Sequence, residues 1–118
     1  FKGPIVGSDS WGSPETTKLC GAECTGLFFS THYAAAGATG ATKTFIDRFQ
    51  KAYGYEPADV AALTWDSLRI VQKAIESAKL TGDLVKDRQA VRDAMAQIKE
   101  FEGITGKMTF TEEGDPIK

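Results

Sequence analysis

The apolar positions fall into short blocks separated by glycine and small polar residues. Pro4 to Gly7 is a short apolar run that enters a polar loop, Ser8-Asp9-Ser10-Trp11-Gly12-Ser13-Pro14, and so reads as a strand. Ser13 suits the cap of a short helix with Pro14 at its first position, ending near Cys20-Gly21. Gly26 to Thr31 is continuously apolar around Leu27, Phe28 and Phe29, the pattern of a strand buried on both faces. His32 to Gly40 then reads as a long loop of small residues.

Three helices are predicted next. The first covers Thr42 to Tyr53, with Phe45, Ile46, Phe49 and Tyr53 on one face and Gly54 as C-cap. The second covers Ala58 to Lys79, with a stripe of Ala61, Leu68, Val71, Ile75 and Ala78, and with Leu63, Trp65 and Ile70 alongside. The third starts at Asp87 as N-cap and presents Val91, Ala94, Met95 and Ile98. Lys107 to Thr111 alternates as a half-exposed strand, and Glu112 to Pro116 is a turn.

Strands alternating with helices predict an α/β architecture, a partial three-layer sandwich with a mainly parallel sheet. Only two or three strands can be found, fewer than a sheet covered on both faces uses. The chain also opens on Phe1 with neither Met nor a signal segment, which reads as a cleaved start or a segment of a longer protein.

Composition narrows the chemistry. The chain has 118 residues, 42% of them apolar, enough for one ordinary core. Fourteen basic residues against 16 acidic ones give a net charge of -2, with no basic excess for nucleic acid or an anionic membrane. No apolar run approaches the roughly 20 residues of a membrane helix. One histidine and two cysteines make a zinc site only if carboxylates join them, so neither a metal nor a cofactor is expected. There is no nucleophile elbow, and Gly37 to Thr42 lacks the Lys-Ser/Thr ending of a phosphate loop.

Asp9 is the first candidate site residue. Ligands of parallel α/β sheets sit at the carboxyl ends of strands. A carboxylate there can pair with an ammonium group, while Ser8 and Ser10 offer hydrogen bonds and Trp11 an apolar surface. Alternatively, Asp9 bonds its own turn. His32 and Tyr33 follow the second strand and so reach the same edge, as cleft lining or as solvated loop. Trp65 packs in the core or lines a ligand pocket. Cys20 and Cys24 have three intervening residues, unlike the two of a redox motif, and are either a short-loop disulfide or two buried thiols.

Four stretches resemble the branched-chain amino-acid (Leu/Ile/Val) binding family of type I periplasmic solute-binding proteins, which serve ABC importers. They are Ile5 to Gly12, Thr25 to Tyr33, Ala61 to Leu68 and Phe101 to Phe110, the last running into Glu113-Gly114-Asp115-Pro116. The resemblance implies residues 1–103 as the later part of the C-terminal ligand-binding lobe and 104–118 as a return strand and turn near the hinge. It implies a non-enzymatic, exported protein, periplasmic or extracellular. Such a protein traps an amino acid or related small solute between two lobes and presents it to a permease. The family's acidic residue that holds the ligand α-ammonium matches Asp9. Trp65-Asp66 stands where the family commonly has Tyr-Asp. Three rivals remain: an extracellular sensor domain of the same fold, a thiol enzyme using Cys20 and Cys24, and an assembly unit that pairs with a second copy through exposed sheet edges.

Overall fold

A computed structural model describes residues 2–118, so the expectation about the chain's start at Phe1 lies outside the described residues. The chain divides into two compact units, the first ending at Leu63 and the second being Thr64–Lys118.

In the first unit, strand β1 (Val6–Gly7) pairs in parallel with β2 (Phe28–Phe29), with Val6 opposite Phe28 and Gly7 opposite Phe29. Parallel pairing needs a crossover. Here it is helix α1 (Pro14–Cys20), flanked by single 3₁₀ turns at Asp9–Gly12 and Gly21–Cys24. Ser13 caps α1 by accepting a hydrogen bond from the Thr16 N–H at 3.1 Å, and Pro14 occupies the first turn, where no amide donor is missed. A disulfide joins Cys20 to Cys24, with Cα atoms 5.7 Å apart, which is the bonded rather than the two-thiol alternative.

Helix α2 (Gly40–Tyr53) begins two residues before its expected start. Gly54 ends it in the left-handed conformation, donating its N–H to the Gln50 carbonyl at 2.8 Å. Phe45 and Ile46 are its buried residues, and Phe49 stacks at a tilt on Tyr53 with ring centroids 4.6 Å apart.

Helix α3 (Asp59–Ser77) buries a face different from the expected stripe. Ala62, Asp66, Ile70 and Ala74, spaced four apart, are the buried positions, while Leu68, Val71 and Ile75 are exposed. An apolar stripe identifies a face that seeks cover, and this chain covers the smaller-residue face instead.

The second unit's core is Ile70 and Ala74 of α3 with Ile98, Phe101 and Met108. Val91, Ala94 and Met95 of α4 (Leu84–Ala96) pack on it, as the helical spacing predicts. The start of α4 corrects the expectation that Asp87 is its cap. Asp83 is the cap and accepts from the Val85 and Lys86 amides at 3.1 and 3.2 Å. Asp87 instead binds back to the preceding turn, accepting from the Thr81 and Gly82 amides at 2.7 and 2.9 Å.

Strands β3 (Phe101–Gly103), β4 (Gly106–Phe110) and β5 (Pro116–Ile117) form an antiparallel sheet. The α/β class holds, but the expected mainly parallel sheet is confined to β1 and β2. The two-residue link Ile104-Thr105 is too short for anything but a hairpin. The expectation that Gly26 to Thr31 is buried on both faces also fails, since Phe28 is 61% and Phe29 45% exposed. A pair of two-residue strands has no layers to hide its faces.

Candidate functional site

The loop leaving β1 is held by its own backbone. The Trp11 N–H donates to the Ser8 carbonyl at 3.1 Å, which closes the 3₁₀ turn Asp9–Gly12. The Trp11 ring lies where a Cβ at Gly7 would stand, so glycine is required there. The Ser8 and Ser10 hydroxyls share a hydrogen bond of 2.9 Å. Both strands of the parallel pair therefore deliver their following loops to one edge.

Asp9 and His32 meet at that edge, with carboxylate Oδ2 and imidazole Nε2 3.4 Å apart and both side chains about half exposed. Tyr33 is held by its neighbour Thr31, whose Oγ1 donates to the Tyr33 carbonyl at 2.7 Å and accepts from its N–H at 3.3 Å. Burial pushes the Tyr33 phenol up, and the nearby Glu56 and Asp59 carboxylates push it the same way, so it stays a neutral hydroxyl.

A cavity of about 240 Å³ opens beside Asp9. It is lined by Asp9, Ser10 and Ser13 from the segment after β1 and by Ala58, Asp59 and Leu63 at the start of α3. Pockets for drug-sized ligands run to roughly 300–1,000 Å³, so this one suits a smaller solute. Among the described residues, two buried side-chain polar atoms lack a hydrogen-bond partner, the Tyr33 hydroxyl and Asp59 Oδ1.

Of the sequence candidates, Asp9 and Ser10 line the cavity, Ser8 bonds Ser10, and His32 lies 3.4 Å from Asp9. Trp11 covers Gly7 at the base of the loop. Trp65 falls in the second unit, exposed on α3. Among the described residues, no group of three His, Cys, Asp or Glu side chains is placed to hold a metal ion, and no helix is long and apolar enough to cross a membrane.

Sequence reasoning missed Asp59 and Asp66. Asp59 has the form of an ordinary acidic residue in a helix's first turn. Asp66 carries a clearer sign: a carboxylate four residues from Ala62 and four from Ile70, within a run of positions that share one face.

A family model described as periplasmic binding protein matches residues 3–117. The chain belongs to the periplasmic binding protein family. Its fold matches that of solved members. The leucine binding protein LivK from Thermotoga maritima is 33% identical with a TM-score of 0.83, over 100% of this chain and 33% of that one. The branched-chain amino acid transporter substrate binding protein LivJ from Streptococcus pneumoniae, solved with isoleucine, is 31% identical with a TM-score of 0.76, over 93% of this chain and 30% of that one. An extracellular ligand-binding receptor from Rhodopseudomonas palustris HaA2 is 25% identical with a TM-score of 0.73, over 94% of this chain and 34% of that one. This periplasmic binding protein chain thus spans about a third of the length of these relatives. No curated protein matches it.

Proposed function

We propose that this chain is the later part of the C-terminal lobe of an exported, non-enzymatic solute receptor that captures an amino acid or related small solute. Residues 104–118 are its return segment near the hinge. The observation that carries the reading is Asp9. It is a carboxylate at the carboxyl end of a strand, on the wall of a cavity of small-solute size. Asp9 holds the solute ammonium, Ser8 and Ser10 orient the loop, and His32 and Tyr33 border the site. Two lobes close around the solute, and the closed form is presented to a membrane permease of the ABC class. The leucine and isoleucine named with LivK and LivJ support an amino acid as the solute.

The test is calorimetric titration of the full-length gene product carrying this chain, with leucine, isoleucine, valine and phenylalanine, beside Asp9→Asn. Micromolar or tighter binding, about -8 kcal/mol or better, that weakens at least 100-fold in the variant is expected. Binding indifferent to Asp9 overturns the ammonium reading.

A second reading, a ligand-sensing domain of a signalling receptor, draws support from the Rhodopseudomonas relative called an extracellular receptor. A transmembrane helix joined to a signalling module in the same gene product is the feature that distinguishes it.

A further inference from the structure

The Asp9 carboxylate already has a partner within the chain that can carry positive charge. His32, on the loop after β2, brings its Nε2 to 3.4 Å from Asp9 Oδ2. The parallel pairing of β1 and β2 delivers the two loops to one edge and so brings the two side chains together. His32 is the single histidine of the chain. Both side chains are about half exposed, so the pair is open to water and to a solute.

The other charges around the pair are acidic. Asp59 lines the cavity with Asp9, and Glu56 and Asp59 act on Tyr33, the residue after His32. Among the described residues, no lysine or arginine lines the cavity. On the Asp9 side, the Ser8 and Ser10 hydroxyls bond each other and bring no charge. The charge standing against Asp9 therefore depends on the protonation of one imidazole.

An ordinary imidazole changes charge around pH 6.5. When charged, it is a cation at the same carboxylate that the proposed function gives to the solute ammonium, and like charges at one site repel. When neutral, it leaves the negative charge of Asp9 whole. An exposed ion pair holds only weakly, so a solute can displace it.

We infer that His32 is the resident counter-ion of Asp9 and, when protonated, competes with the solute ammonium, so that the receptor holds its solute more tightly at neutral pH than in acid. This rests on the amino-acid reading above and deepens it by adding the regulation of the same site. Binding and protonation are then reciprocal: a proton on His32 that weakens the solute is a proton that the solute expels.

The experiment titrates the full-length gene product calorimetrically with leucine, isoleucine, valine and phenylalanine, in the wild type, His32→Gln and Asp9→Asn. It is run at about pH 7.5 and about pH 5.5, between which an ordinary carboxylate stays ionised. The expected result is wild-type affinity about two- to fivefold weaker in acid, the scale of an exposed ion pair. The ratio between the two pH values should fall to about one in His32→Gln. Wild-type heats at about pH 6.5, in two buffers of different ionisation enthalpy, should show proton release on binding. Equal affinity at the two pH values, tighter binding in acid, proton uptake, or a ratio that persists in His32→Gln overturns the inference. The proton count stands even where the variant fails to fold. The two readings fail differently. Binding that collapses in Asp9→Asn but is indifferent to pH removes only the role of His32, whereas binding that survives Asp9→Asn, or no binding of any of the four amino acids, removes both.

Discussion

Asp66 is 2% exposed and is the largest fully buried side chain among the described residues. Its Oδ1 accepts from the Ile104 N–H at 2.8 Å, and its Oδ2 accepts from the Thr105 N–H at 2.9 Å and the Thr105 hydroxyl at 2.6 Å. One carboxylate thus satisfies both amides of the hairpin link between β3 and β4. It also sits where a Cβ at Gly103 would stand, so the glycine and the aspartate are required together. Asp66→Ala leaves two amides without partners and is expected to cost on the order of 3 kcal/mol in urea unfolding. Gly103→Ala is expected to cost about 1–3 kcal/mol by itself through overpacking. In the Asp66→Ala background the same change meets no carboxylate and costs much less. A double-mutant cycle measures that difference, and strict additivity sinks the account. The site residues divide along similar lines. Asp9 is legible because it follows a strand in a polar loop. Asp59 is not, because its buried Oδ1 and its place in the cavity lining arise only in the folded chain, which no spacing encodes.

At the level of elements, what depends on neighbours in sequence was readable and what depends on distant cover was not. The Ser13-Pro14 start of α1 and the Gly54 stop of α2 are local events and fall where the residues predict. The start of α4 misleads because Leu84 and Val85 are exposed, so the apolar periodicity begins a turn late. Two aspartates divide the labour there. Hydrogen bonds from the Lys86 amide, the Lys86 side chain and the Val85 amide hold the Asp83 carboxyl below its usual range. Bonds from Thr81 and Gly82 do the same for Asp87. A carboxyl depressed in the folded chain stabilises at pH values above its unfolded value of about 3.9, and that contribution is lost as pH falls through the folded value. Asp87→Asn is therefore expected to lower the melting temperature at neutral pH. The gap to wild type should close as the pH is brought toward about 2. A gap of constant size across that range would show that the carboxylate charge is not what ties the turn.

At the scale of the molecule, the chain's apolar pattern asks for more cover than the chain contains. Phe28 and Phe29 lie in a continuous apolar run that predicts burial on both faces, yet they are 61% and 45% exposed. In the second unit, Leu68, Val71 and Ile75 recur at helical spacing, yet all three are exposed. This is why the α/β class was readable while the sheet was not: the pattern records faces to be buried, and among the described residues only a pair of short parallel strands and one antiparallel sheet are present to bury them. Each such side chain left in water forgoes about 1.5–3 kcal/mol of burial. Uncovered faces of that kind, together with the unpaired edges of β1 and β2, drive association. The 118-residue chain by itself is therefore expected to show a concentration-dependent mass in sedimentation equilibrium. Phe28→Asp, which places a charge on the exposed strand face, should shift that equilibrium toward monomer at least tenfold. A gene product of the relatives' length, with further chain to lie over these faces, should sediment as a single species over the same concentrations. A monomer mass for the 118-residue chain at every concentration would mean that these faces are tolerated in water, and would remove the assembly reading.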